Sequence, residues 1–135
     1  MGLKSEIVDQ VRALVAGEEN VVANLANTTA LLMSATSWHW VGFYLVDQAK
    51  NELVLGPFQG PVACTRLSMG RGVCAKSWAL SETIVIDDVE SFEGHIACSS
   101  LSQSEVVVPI LYDEVVVGVL DVDSVELNGF SSSDV

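Results

Sequence analysis

Ile7, Val8, Val11, Leu14 and Val15 recur at helical spacing and predict an amphipathic helix over residues 5–15, which Gly17 can end. Val21, Val22, Leu25, Ala26, Thr29 and Leu32 repeat that pattern in a second helix, with Asn20 placed to cap it. From Trp38 the period changes. Residues 38–46 are aromatic and β-branched, residues 47–51 read as a turn, and residues 52–60 return as a strand broken by Gly56-Pro57. A short third strand is expected over residues 63–67. Gly70 and Gly72 read as a tight turn feeding a helix that runs to Leu80, and residues 83–86 as a further strand. Two valine-rich runs, 106–111 and 115–123, are joined by a short acidic turn and predict an antiparallel hairpin. About six strands and three or four helices give one α+β domain over residues 1–135, a central antiparallel sheet with helices packed on its faces. Residues 128–135 read as a helix start, so a closing helix is expected to be cut short.

Composition narrows the class. Half of the 135 residues are apolar, enough at this length to bury a core without staples. A net charge of −12 lacks the basic face that nucleic acid or an anionic membrane requires, so neither is an expected partner. It suits a cationic ligand, although a solvated acidic surface is the commoner use of such residues. No run reaches the ~18 apolar residues of a membrane span, and residues 1–10 carry no signal-peptide pattern. Three cysteines fit a secreted disulfide framework poorly, which makes the cytoplasm the expected compartment. The two leading helices can pack together, on the sheet, or on a second copy, so a homodimer is one arrangement they allow.

The chemistry concentrates in Gly94-His95-Ile96-Ala97-Cys98-Ser99-Ser100-Leu101-Ser102-Gln103-Ser104-Glu105, a polar stretch pressed against a buried strand. The residues alone leave three readings of Cys98 open: nucleophile, metal ligand or buried filler. A lone cysteine is more often filler. Cys64, Cys74, His95 and Cys98 could make a zinc set, but they lack the close Cys-x-x-Cys pair that usually opens one. His95 is more often a hydrogen-bonded loop residue than a base. Gly70-Arg71-Gly72 completes neither a Walker nor a dinucleotide pattern. Asp121 and Asp123 are two apart on a strand and share a face with Val117 and Val119, while Leu120 and Val122 face the other way. Glu105 joins them only if the hairpin register allows it.

Trp40-Val41-Gly42-Phe43-Tyr44, Leu55-Gly56-Pro57-Phe58-Gln59-Gly60, Gly70-Arg71-Gly72-Val73-Cys74, Gly94-His95-Ile96-Ala97-Cys98, Ser104-Glu105-Val106-Val107-Val108-Pro109 and Gly118-Val119-Leu120-Asp121-Val122-Asp123-Ser124 occur in that order. Together they resemble the free methionine-(R)-sulfoxide reductases, enzymes built on a GAF domain. The resemblance implies that Cys98 attacks the sulfoxide sulfur and that Cys64 resolves the oxidised product as a disulfide. Cys74 is then an auxiliary thiol. Glu105, Asp121 and Asp123 would contact substrate, with Trp40 and Tyr44 as its aromatic wall.

That chemistry is consistent with the residue types. A thiolate is the right nucleophile for sulfur, a carboxyl held protonated by its neighbours can donate to the sulfoxide oxygen, and converging carboxylates suit the ammonium of a free amino acid. The implied partners are free methionine sulfoxide and a thioredoxin-type reductant, with no metal or organic cofactor. A GAF module that senses a small molecule or redox state without turnover is the alternative reading.

Overall fold

The computed structural model describes residues 2–94 and 101–135, with side chains from residue 5 onward. His95 and Cys98 therefore lie outside the described residues. Helices α1 (Gly2–Val15) and α2 (Val21–Ala35) lead into strands β1 (Trp40–Asp47), β2 (Glu52–Gln59) and β3 (Arg66–Ser68). Helix α3 (Gly72–Leu80), β4 (Ile84–Ile86), β5 (Ser104–Tyr112) and β6 (Val115–Ser124) follow. The six strands form one sheet in the order β3-β2-β1-β6-β5-β4, every neighbouring pair antiparallel. This is the expected α+β architecture. Among the described residues no helix is long and apolar enough to cross a membrane.

Strand alternation divides the apolar residues between two cores. Val41, Val106, Val122 and Phe130 are buried on one face, with Leu32 and Met33 of α2 packed against them. Trp40, Tyr44, Val107 and Val119 are buried on the other, with Val73 and Cys74 of α3. Asn20 caps α2 by accepting from the Ala23 N–H at 2.9 Å, as its position predicts. Gly72 opens α3 with φ +85°, a conformation that only glycine adopts without a Cβ penalty.

Three sequence expectations need correction. β2 is not broken at Gly56-Pro57: Gly42 pairs with Phe58 and Tyr44 with Leu55, so β2 carries one extra residue in a bulge. A bulge accommodates Pro57, which has no N–H to give the ladder. It also keeps Phe58 on the face of Leu53 and Leu55. The third strand lies at Arg66–Ser68 rather than over 63–67, which leaves Cys64 on the preceding loop. β5 starts at Ser104, so Glu105 is inside the strand and not before it.

At the C-terminus, Phe130 packs on Trp38 with ring centroids 5.8 Å apart. The Ser131 N–H donates to Asp134 Oδ2 at 2.7 Å and the Asp134 N–H to the Ser131 carbonyl at 3.0 Å, closing a turn where the sequence reads as a helix start.

Candidate active site

Register, more than sequence proximity, assembles the site. β5 and β1 flank β6, and Glu105, Asp123 and Trp40 fall in one rank across the three strands. Val107, Asp121 and Gly42 form the adjacent rank. All three carboxylates thus rise from the face that buries Val119, and α3 lays Cys74 over them. Ligating atoms of Cys74, Glu105 and Asp121 lie within 4.8 Å of one another, and all three residues are buried. These three are the described residues that could converge on a cation.

Crowding acids in a poorly solvated place raises their proton affinity. Burial, and then the charge of Asp123, pushes Glu105 up to about 8, against a hydrogen bond from Asp121 that lowers it. Asp123 is half-exposed by area, yet burial of its carboxyl and the charge of Asp121 hold it well above the carboxylate range. A hydrogen bond with Ser102 opposes that rise. Burial and the nearby carboxylates Asp121, Glu105 and Asp123 also push the Cys74 thiol up, and its side chain is hydrogen-bonded to Asp121. At neutral pH this cluster retains protons that separate, solvated carboxyls would have lost.

An aromatic wall stands beside the acids. The Trp40 ring stacks on Phe58 at 5.3 Å and 17°, and on Tyr44 at 6.1 Å and 24°. Gly42 makes room for it: a Cβ there would sit 2.4 Å from Trp40 Cη2 and 2.5 Å from Phe58 Cβ. Trp40 Nε1 donates to the Pro61 carbonyl at 3.0 Å, and the Tyr44 hydroxyl donates to the Cys64 carbonyl at 2.7 Å. Cys64 is disulfide-bonded, whereas Cys74 is a free thiol. A disulfide sulfur is not a thiolate, so Cys64 offers no zinc ligand in this state. A cleft of about 300 Å³ is lined by Asp88, Val89, Glu90, Ser102, Gln103 and Leu127, and of these Ser102 is hydrogen-bonded to Asp123.

The structure therefore brings Trp40, Tyr44, Cys74, Glu105, Asp121 and Asp123 onto one face and anchors the Cys64 loop to it. Cys98 lies outside the described residues. Phe58, Gly42 and Ser102 belong to the site without having been read from the sequence. The signal for Phe58 was the Gly56-Pro57 pair, read as a break when it marks a bulge.

A GAF domain model matches residues 16–135. GAF domain-containing protein A of Dictyostelium discoideum is 55% identical over 95% of this chain and 80% of its own length. The free methionine-R-sulfoxide reductase of Escherichia coli is 47% identical over 90% of this chain and 73% of its own. The crystal structure of the Neisseria meningitidis free methionine-R-sulfoxide reductase in complex with its substrate superposes with a TM-score of 0.95 at 54% identity, covering 97% of this chain and 78% of that one.

Proposed function

Because the chain belongs to the GAF-domain family of free methionine-R-sulfoxide reductases, we propose that it reduces free L-methionine-(R)-S-oxide to methionine by a thiol redox cycle. The observation that carries the reading is the buried carboxyl set, Glu105 opposite Asp123 with Asp121 alongside. A free amino acid brings an ammonium that offsets those charges; a peptide-bound methionine sulfoxide has none. Glu105, pushed up to about 8, keeps a proton at neutral pH that can be given to the sulfoxide oxygen. Trp40 and Phe58 offer an apolar wall to the S-methyl group.

In this reading Cys98 attacks the sulfoxide sulfur. Thiol and sulfoxide give sulfenic acid and methionine, the oxygen passing from one sulfur to the other. The Cys64 thiol then condenses with the sulfenic acid, releasing water and leaving a Cys64–Cys98 disulfide. A thioredoxin-type dithiol reduces that disulfide by exchange. Cys64 in a disulfide and Cys74 free support Cys64, rather than Cys74, as the resolving residue. The cycle needs no metal or organic cofactor, and it operates in a reducing compartment such as the cytoplasm. Val8, Leu14, Val21 and Val22 are exposed on α1 and α2, which supports a homodimer through these helices.

A thioredoxin-coupled assay with both sulfoxide epimers, free and peptide-bound, tests the reading. Consumption of the free R epimer alone, abolished by Cys98→Ser, is expected. Turnover of the peptide-bound form or of the S epimer would refute the substrate, and an active Cys98→Ser would refute the mechanism.

A further inference from the structure

The loop from Gly60 to Thr65 joins β2 to β3 and carries one half of a disulfide at Cys64. Ala63 and Cys64 are half-buried and pack back on the core that holds Trp40 and Leu67. Pro61, Val62 and Thr65 face solvent, Val62 at 88% exposure. A single apolar side chain on a surface carries little meaning by itself. Pro61 and Val62, however, stand beside a disulfide that an outside dithiol has to open in each cycle. Val62 and Thr65 are within two residues of Cys64, at most about 7 Å along the chain, well inside the ~800 Å² that a specific protein partner covers.

Charge distinguishes the same region. The chain has 18 acids and a net charge of −12, yet residues 53–81 hold Arg66, Arg71 and Lys76 and no Asp or Glu. These cations are exposed. Arg66, two residues from Cys64, is ion-paired with Asp47 at 2.7 Å and Glu52 at 3.4 Å, which offsets the acids just before that stretch. The opposite holds on the substrate side, where Glu105, Asp121 and Asp123 are gathered. A thiolate attacking a disulfide is an anion, and a chain this acidic repels it least along the acid-free segment.

We propose that the Pro61–Thr65 loop is the docking surface for the protein dithiol that recycles the enzyme, an anionic thioredoxin-type partner, and that its attack falls on the Cys64 sulfur. The inference rests on the reading that turnover leaves Cys64 in a disulfide. One thiolate of the reductant bonds to Cys64 Sγ and breaks the existing S–S bond; the displaced sulfur leaves as a thiolate and takes a proton. The reductant's second thiol then attacks its own first sulfur, frees Cys64 as a thiol and closes the reductant's disulfide. Two electrons and two protons pass to the enzyme. Val62 supplies apolar contact beside the reacting sulfur, and the cations set the charge of the partner.

The test compares two reductants on the full chain, a thioredoxin of net negative charge and dithiothreitol. Val62→Asp puts a charge on an exposed side chain and leaves the core untouched. It should lower kcat/KM for thioredoxin roughly tenfold while turnover driven by dithiothreitol stays within about twofold of wild type. Thr65→Glu should lower the thioredoxin rate about threefold, and Thr65→Lys should hold or raise it, a difference of sign that lost packing cannot produce. A thioredoxin whose second active-site cysteine is replaced by serine should be caught in a mixed disulfide with Cys64, read by peptide mapping. An unchanged thioredoxin rate in Val62→Asp overturns the docking surface, as does an equal loss with dithiothreitol or capture on another cysteine. A changed oligomeric state in Val62→Asp, measured by sedimentation, would make the loop an interface between copies and overturn it too. Absence of dithiothreitol-driven consumption of free methionine sulfoxide in wild type removes the underlying reading, and the docking surface with it.

Discussion

Glu105 stands directly across the β5–β6 ladder from Asp123. Like charges in that relation destabilise a sheet, and burial adds to the cost. An arrangement so unfavourable in the empty protein is what an ammonium-binding pocket requires. Glu105→Gln keeps the shape and removes the ionisable proton. It should lower kcat/KM for free methionine sulfoxide by about 10²-fold or more, the usual scale for a lost acid. Steady-state kinetics with the coupled assay check this, and a loss under threefold would exclude Glu105 from proton transfer.

The same residue predicts how stability responds to pH. Glu105 has its pKa raised from 4.5 to about 8 in the folded protein. Between those values the native state binds a proton that the unfolded chain has released. The contribution is therefore fully present below about pH 4.5 and is lost as pH rises through about 8, at up to about 1.4 kcal/mol per unit. Asp123 is shifted in the same direction. Urea midpoints should fall between pH 5 and pH 8.5, and the fall should be shallower in Glu105→Gln. A flat or rising midpoint in wild type would show that the carboxyl set is better solvated than its burial implies.

Much of this was legible from residue pattern. The hairpin from Val106 onward, the capping of α2 by Asn20 and the shared face of Asp121, Asp123 and Val119 all follow from periodicity and local chemistry. What was hidden depends on counting residues across strands. The extra β2 residue at Gly56-Pro57 decides which face Phe58 takes, and alternation alone cannot see a bulge. Cys64 sits in an apolar-looking run that reads as strand, yet its carbonyl is used by Tyr44 across the sheet. Cys74 reaches the carboxylates because α3 packs against β5 and β6, a tertiary outcome that no spacing along the chain announces.

Gly42 gives a direct test of the aromatic wall. A methyl group there would overlap both Trp40 and Phe58, and two stacked rings in a packed core have little space to yield. Gly42→Ala should cost about 2 kcal/mol of stability, within the usual range for overpacking. It should also raise KM, because Trp40 has to leave its place. Denaturant unfolding and kinetics measure the two effects, and a neutral outcome in both would mean that the wall is not rigid.

The β5–β6 hairpin closes through a two-residue turn, with Tyr112 opposite Val115. Asp113 and Glu114 both have positive φ, 50° and 67°, the conformation of a type I′ turn usually filled by Asn-Gly. Glu114 has a Cβ and no compensating hydrogen bond typical of Asn or Asp in that region. Replacing the pair with Asn-Gly should stabilise the protein by about 1 kcal/mol and raise Tm by a few degrees. Activity should be unchanged, because the turn lies at the far end of the hairpin from Glu105 and Asp123. An unchanged or lower Tm would mean that the turn is strained less than its dihedral angles indicate.

Cys74 and Cys64 differ in state as well as in place, and that difference can be read chemically. Cys74 is 4% exposed and free. Burial, then the surrounding carboxylates and a hydrogen bond to Asp121, disfavour the thiolate, which is the reactive form. In the native, reduced protein its alkylation by iodoacetamide should be slower than that of an unhindered cysteine by roughly 10²-fold or more. After oxidation by substrate and denaturation without reductant, Cys74 should take up one label per chain, and Cys64 none. Peptide mapping by mass decides the matter. A label on Cys64, with Cys74 in the disulfide, would move the resolving role to α3. The carboxylates around Cys74 would then have to tolerate a thiol that leaves them in every cycle.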